Sequence, residues 1–237
     1  MSGIGNFFFR YRNALFPLIF LVTAVFIRPE WFLGNEKLDL FGTGIGIVLA
    51  LTGGLVRILT IGLVYIKRGG KDYKVYAKDL VTDGIYAHVR NPMYLGNLLI
   101  AAGICLLYGS PWLYAGMFPF FVLVYVSIVA EEERFLASKF GDGYAAYRES
   151  VPRFWPNLQG IYGTFGSYRF NWGRVLKKEY GTACGLLAAV YVLVLTKYWY
   201  LGGMLPDFVL RPVLALPLLV LLAAYLSALF FKKTRRI

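Results

Sequence analysis

Two groups of polar residues, separated by an uncharged stretch, carry most of the recognisable chemistry of this chain. The first lies within residues 81–94 and offers a cation, an amide and two phenols (Arg90, Asn91, Tyr86 and Tyr94). The second begins with three adjacent carboxylates at residues 131–133, and no residue from 93 to 130 is charged. Like charges this close repel one another unless water or a cation relieves them. A small cationic ligand that packs against aromatic rings would suit both groups.

Metal chemistry is a poor match for the same residues. His88 is the only histidine, and the two cysteines, Cys105 and Cys184, lie far apart inside apolar runs without a CxxC spacing. Structural zinc sites need several such ligands at short spacing. We therefore expect free thiols and no metal site. The alternative interpretation of residues 131–133 is a solvated helix end without a ligand.

Composition predicts which elements position these groups. Hydrophobic residues make up 58% of the 237 residues and charged residues 16%, below the ~25% of soluble domains. Long uncharged runs recur along the chain and predict an all-α, polytopic membrane bundle of about six spanning helices within a single domain, residues 1–237. The predicted spans are residues 14–27, 40–66, 93–108, 112–130, 182–200 and 212–231. The last two form an additional C-terminal membrane hairpin, residues 182–231.

The second predicted span contains several glycines and one charge. Small residues let membrane helices approach closely, which explains the glycines better than a phosphate-binding loop does. The charge is Arg57, near the middle of the span. A charge there faces a polar cavity or a partner, or else extends to the interface or pairs structurally.

The distribution of the 25 Lys and Arg residues predicts the orientation. With six spans, most of them fall on one side, in the N-terminus, residues 67–90, residues 134–178 and the C-terminal tail. The positive-inside rule then places both termini and both polar groups in the cytoplasm. The same clustering explains the net charge of +12 through membrane lipids, so we do not expect a nucleic-acid partner.

The order of motifs across the uncharged hairpin resembles the isoprenylcysteine carboxyl methyltransferase family, with which the phospholipid methyltransferases share much of the signature. The pattern runs Gly-x-Tyr-xxx-Arg-Asn-Pro-x-Tyr-x-Gly over residues 84–96. It continues as Glu-Glu-xx-Leu-xxx-Phe-Gly-xx-Tyr-xx-Tyr over residues 132–147, followed by Val-Pro at 151–152. The resemblance covers residues 80–156, which it identifies as the methyltransferase core.

The resemblance implies an integral membrane enzyme that takes a methyl group from S-adenosylmethionine at the cytoplasmic face. The positions that it assigns to the cofactor are Tyr86, Arg90, Asn91, Pro92, Tyr94, Glu132 and Glu133. Asn91 departs from the usual family histidine, and an amide donates a hydrogen bond without titrating. We interpret the nearby His88 as an interfacial histidine and not as a replacement.

The acceptor implied is a lipid-like or prenylated small molecule that enters from the membrane. Methyl transfer is a displacement at a sulfonium, so the protein contributes mainly alignment and electrostatics. Arg57 and Arg153 are the predicted catalytic residues, since cations favour a carboxylate or a thiolate acceptor over an amine. Residues 151–156 are predicted to fold back as a lid, and Glu131 or Asp83 could serve as a base.

Other functions remain open at this point. A phospholipid-amine N-methyltransferase is the alternative within the same chemistry. A nicotinamide-dependent sterol or lipid reductase is the alternative in another reaction class. A non-enzymatic transporter is the third alternative, although the sequence lacks the internal repeat that many transporters show.

Overall fold

The computed structural model describes residues 7–11, 19, 22–23, 26–64, 77–202 and 215–234. Within this part of the chain all regular structure is helical. The helices are α1 (Glu36–Leu63), α2 (Pro92–Tyr108), α3 (Phe118–Phe140), α4 (Asp142–Ser150), α5 (Ile161–Ser167), α6 (Trp172–Gly202) and α7 (Leu216–Lys233). Short 3₁₀ turns occupy Phe32–Gly34 and Gly84–Ala87, and a π-helical turn, Leu113–Met117, leads directly into α3.

The prediction of an all-α membrane bundle is confirmed. Four helices are long and apolar enough to cross a bilayer, namely α1, the continuous helix Leu113–Phe140, α6 and α7. The shorter apolar helix α2, with 17 residues, is ~26 Å long and completes the hairpin with α3. The first predicted span, residues 14–27, lies largely outside the described residues.

One helix begins earlier than the span predicted for it. The sequence predicts a span from Thr182, whereas α6 begins at Trp172, after the separate short helix α5. With 31 residues, α6 is ~46 Å long, well beyond the ~30 Å of a hydrocarbon core. Its basic first turns therefore extend the spanning helix beyond the hydrocarbon core.

Glycines bring α1 and α2 into close contact. A Cβ atom on Gly46 would lie 2.8 Å from the carbonyl oxygen of Gly103, and one on Gly96 would lie 2.7 Å from that of Gly53. The two glycine pairs are two helical turns apart on each helix. No larger residue fits at these crossings, which confirms the interpretation of the glycines as packing residues.

A tight turn joins α2 to the π-helical turn, as the residues Gly-Ser-Pro at 109–111 predict. Gly109 has a φ angle of 82°, and a Cβ atom there would collide with the carbonyl oxygen of Glu30. The backbone N–H of Glu30 donates to the carbonyl of Tyr108 at 3.1 Å, and Ser110 Oγ donates to the Glu30 carboxylate at 3.0 Å. The segment before α1 is thereby held against the end of the bundle opposite the two polar groups.

Two buried ion pairs join α1 to α6. Arg57 and Glu179 form a two-pronged pair with a shortest distance of 3.0 Å, and Lys197 Nζ lies 2.6 Å from Asp39 Oδ1. Asp39, Glu179 and Lys197 are each at most 1% exposed. The residue spacing between the two pairs is the same on both helices, so they lie ~27 Å apart, close to the thickness of a hydrocarbon core. Together they fix the register of two antiparallel helices.

The Asp39–Lys197 pair generates a stability prediction. The change Lys197→Met leaves a buried carboxylate without its cation, and removing one partner of a buried pair costs ~3–5 kcal/mol. We expect thermal unfolding in detergent to occur at a markedly lower temperature. In the double variant Asp39→Asn, Lys197→Met no charge is stranded, and most of the stability should return. Equal losses in the single and double variants would show that the pair does not act as a unit.

Candidate active site

The first polar group is positioned by the beginning of α2. Pro92 is the first residue of this helix, where its missing N–H is least costly, as predicted. Asn91 precedes it at the N-cap position but makes no side-chain capping bond. Its amide is thus directed to other partners. Tyr94 lies in the first turn of the helix.

The second polar group lies near the end of α3, which runs antiparallel to α2. Helix α3 continues to Phe140, so Glu132 and Glu133 are helical residues and not a frayed end. Because a short turn joins the two helices, the start of one and the end of the other meet on the same side of the bundle. The structure therefore brings the two polar groups together.

Glu133 is the centre of the resulting cluster. Its side chain is 9% exposed and forms an ion pair with Arg153, while Arg90 Nε lies 3.3 Å from Oε1. The amide of Asn91 donates to the same Oε1 at 3.4 Å and also to the backbone carbonyl of Arg153. The Arg90 Nε contact lacks hydrogen-bond geometry, so it is an ion-pair contact only. Two arginine cations and one amide donor therefore converge on one buried carboxylate.

Glu132 has a different environment from its neighbour. The Tyr94 hydroxyl donates to Glu132 Oε1 at 2.6 Å, a short distance typical of a phenol bound to a charged carboxylate. The Tyr94 ring packs 5.6 Å from the ring of Tyr125, centroid to centroid, within the apolar core of the hairpin. The Tyr94 hydroxyl thus holds Glu132, and the packing of the Tyr94 ring against Tyr125 orients that hydroxyl.

Helix α4 adds two buried tyrosines that sequence reasoning did not assign to the site. The Tyr147 hydroxyl donates to the backbone carbonyl of Tyr86 at 2.8 Å. Tyr144 is 2% exposed, and among the described residues its hydroxyl has no hydrogen-bond partner. Burial raises the pKa of Tyr144 to about 12, and the charge of Glu133 contributes to this rise against the lowering effect of nearby arginines. The phenol therefore remains protonated, and its buried hydroxyl can donate a hydrogen bond that no described residue accepts.

A cleft opens between these elements. It has a volume of about 120 Å³. It is lined by Tyr86, Arg90, Asn91, Pro92, Met93, Tyr94, Glu132, Glu133, Leu136, Tyr144 and Tyr147. All seven residues that the resemblance assigns to a cofactor belong to this set. Ordinary ligand pockets measure ~300–1,000 Å³, so a nucleoside-sized ligand requires some of these side chains to move.

The predicted lid folds back in its first half. The backbone N–H of Arg90 donates to the carbonyl of Pro152 at 2.9 Å, and Val151 is buried against Tyr144 and Tyr147. Beyond Arg153 the chain turns outward, and Trp155 is 86% exposed. The segment thus closes one side of the cluster around Glu133 without covering the whole cleft.

His88 anchors the other end of the same segment. It is 5% exposed, with Nδ1 2.7 Å from the carbonyl oxygen of Asn157 and Nε2 2.7 Å from the Thr164 hydroxyl. The N–H of Asn157 donates back to the His88 carbonyl at 2.9 Å. The polar atoms of His88 are therefore satisfied by the connector that packs on it, and His88 is not among the residues that line the cleft.

Arg57 belongs to a second polar cluster. Its guanidinium pairs with Glu179 and also donates to Asn97 on α2 and Thr182 on α6. None of these residues lines the cleft. Of the two predicted catalytic arginines, the structure brings Arg153 to Glu133 and holds Arg57 between α1, α2 and α6. Of the two candidate bases, Glu131 pairs with Arg134 at 2.9 Å and neither Glu131 nor Asp83 lines the cleft.

Comparisons with known proteins agree with these motifs. The family model of phospholipid methyltransferases matches residues 41–143. The chain is 31% identical over 161 residues to the cobalt-zinc-cadmium resistance protein CzcN of Cupriavidus metallidurans, an alignment that covers 66% of this chain and 68% of that protein. No solved structure matches the chain.

Two further relatives carry the name protein-S-isoprenylcysteine O-methyltransferase. The protein from Schizosaccharomyces pombe is 42% identical over 31% of this chain and 31% of its own length. The protein from Xenopus laevis is 28% identical over 49% of this chain and 41% of its own length. The chain thus spans less than half the length of these two relatives. By its motifs, its helical hairpin and these matches, the chain belongs to the isoprenylcysteine carboxyl methyltransferase family, together with the related phospholipid methyltransferases.

Proposed function

We propose that this protein is a membrane methyltransferase that binds S-adenosylmethionine in the cleft between α2, α3 and α4. The observation that carries the proposal is the convergence of Glu132, Glu133 and Tyr94 across the hairpin, beside the Tyr144 hydroxyl, which has no hydrogen-bond partner among the described residues. A buried donor without a partner costs ~1–3 kcal/mol, and a purely structural cluster of ion pairs does not account for this cost. A ligand that accepts from Tyr144 would remove this cost.

The residues of the cleft fit this cofactor. The carboxylates of Glu132 and Glu133 suit the ammonium and the ribose hydroxyl groups, and the rings of Tyr86 and Tyr94 suit a sulfonium cation. Tyr144 supplies a neutral donor. When bound, S-adenosylmethionine supplies an electrophilic methyl group. The protein's part is to align the reactants and to exclude water.

The residues around Glu133 hold that carboxylate in place. Arg90 is buried beside it and is also bound through its guanidinium to the backbone carbonyl of Arg148 at 2.7 Å. Asn91 donates one further hydrogen bond in place of the usual histidine, so this contact does not change with pH. Arg153 is the most exposed of the three partners of Glu133, with 41% of its side chain accessible. It is the partner that can leave most easily when the cleft enlarges.

We infer a lipid-like or prenylated acceptor with a carboxylate, in line with the names of the two O-methyltransferase relatives. A carboxylate is already nucleophilic at neutral pH. Arg153 and Arg57 are the cations proposed to steer it. Because each already pairs with a glutamate, the acceptor would have to exchange with Glu133 or Glu179.

A phospholipid amine is the second candidate acceptor, favoured by the description of the matching family model. An amine must lose a proton before it attacks, so a base is needed. The glutamate side chains in the cleft are the nearest carboxylates. By the positive-inside rule, the proposed orientation places this chemistry at the cytoplasmic face for either acceptor.

The proposal predicts a specific loss of cofactor binding. The change Glu132→Gln removes a charge from the cleft and should weaken S-adenosylmethionine binding about tenfold or more, the usual effect of losing a hydrogen bond to a charged group. Glu131→Gln is the matched control, because the Glu131 carboxylate is adjacent in sequence but lies outside the cleft. Isothermal titration of the purified protein measures both. Unchanged affinity in Glu132→Gln, or binding of a reduced nicotinamide instead, would contradict the proposal.

A second prediction separates the two glutamates. Glu133→Gln should lower the thermal unfolding temperature, since it leaves Arg90 buried without a carboxylate, at a cost of ~3 kcal/mol. Glu132→Gln should unfold close to the wild-type temperature. Similar unfolding of both variants would show that the cluster around Glu133 does not stabilise the fold. Thermal unfolding in detergent measures the difference.

The acceptor class is tested by the bond that is formed. Purified protein is incubated with methyl-labelled cofactor and lipid or prenylcysteine acceptors, and the product is then treated with mild base. A carboxyl methyl ester is hydrolysed and loses its label, which is the result we expect. Label retained through this treatment would assign an amine acceptor.

A further inference from the structure

The connector between α4 and α6 has an unusual charge pattern. Residues 150–178 contain no acidic side chain, although Glu149 and Glu179 lie directly on either side. The charged side chains within the segment are all basic, namely Arg153, Arg169, Arg174, Lys177 and Lys178. A run of one sign next to a membrane span attracts surfaces of the opposite sign.

The same connector exposes an apolar face. Trp155 is 86% exposed, Leu158 63%, Tyr162 90% and Phe165 39%. On α5, Thr164 binds His88 and so marks the face that packs on the protein. Tyr162 lies on the side of α5 opposite Thr164, and Leu158 is exposed in the segment before this helix. An exposed aromatic and aliphatic face with adjacent cations is the pattern of a segment that lies in a membrane interface.

The position of the connector in the bundle selects the partner. It runs between two membrane-spanning helices, from the end of Leu113–Phe140 and α4 to the start of α6. Both of these helix ends lie on the side of the bundle that carries the cleft. Helix α6 is longer than the hydrocarbon core is thick, and its basic first turns form the part that extends beyond the core. A lipid headgroup layer therefore lies at the level of the connector, and its acidic lipids match the charge.

We propose that residues 153–178 bind the anionic lipid surface of the membrane, with Trp155, Leu158, Tyr162 and Phe165 inserted in the interface and the basic residues above acidic headgroups. This docking goes beyond the methyl-transfer proposal and does not depend on it. The bound surface also connects to the cleft, because Arg153 pairs with Glu133 and Asn157 is bonded to His88. The segment 153–157 therefore belongs both to the proposed lipid-binding surface and to the surroundings of Glu133 and His88.

The experiment measures contact between Trp155 and lipid. The full-length protein is reconstituted in nanodiscs of phosphatidylcholine with brominated acyl chains, with or without phosphatidylglycerol, and tryptophan fluorescence is recorded. Subtracting the emission of the variant Trp155→Phe isolates the signal of Trp155. We expect strong quenching of this signal in anionic nanodiscs and weaker quenching in zwitterionic ones. Neither cofactor nor turnover is needed for the measurement.

Charge variants test the electrostatic part of the proposal. Neutralising Arg169, Lys177 and Lys178 to Gln should reduce the ratio of docked to undocked segment in anionic nanodiscs by about fivefold per cation. Lys37→Gln, an exposed cation at the opposite end of the bundle, should have no effect. A Trp155 signal that brominated lipid never quenches would overturn the proposal and leave the surface to a protein partner. Equal quenching with and without acidic lipid, unaffected by the charge changes, would overturn it as well.

Discussion

The carboxylate of Glu133 must be compensated, because an ionised group with this little access to water is unstable without partners. Its partners come from two separate parts of the chain, Arg90 and Asn91 before α2 and Arg153 after α4, and the glutamate itself belongs to a third, α3. This single requirement draws the start of one membrane helix, the end of another and the following connector to one point. The cleft exists because these three segments meet there.

The same requirement organises the bundle away from the cleft. Arg57 with Glu179 and Asp39 with Lys197 place two ion pairs between α1 and α6, spaced by about the thickness of the hydrocarbon core. Glycines then set how closely α1 approaches α2. Since Arg57 also binds Asn97 on α2, α6 is coupled to the hairpin that bears the site.

Much of the site was accessible from local patterns. An uncharged run between two polar groups predicts a membrane hairpin, and a hairpin returns its two ends to one side, so Arg90 and Glu133 could be placed together in advance. Long-range pairing was not accessible in this way. Lys197 stands alone in an apolar run, whereas Asp39 follows Glu36 and Lys37, and nothing in the local sequence indicates which charge meets which. The burial of Tyr144 and His88 was not accessible either, because it depends on how the connector packs against the start of α2.

The sequence by itself determined that this chain is a helical membrane protein with its polar motifs at the mouth of a hairpin. Hydrophobicity and charge act over a few residues at a time, so they can be read without a fold. Tertiary structure decided which carboxylate is buried, which arginine compensates it and which phenol is left as an open donor. Those outcomes depend on helix register and on contacts between residues far apart in the chain. In surroundings of low dielectric constant, a satisfied polar contact stabilises the fold more, and an unsatisfied polar group costs more, than in water.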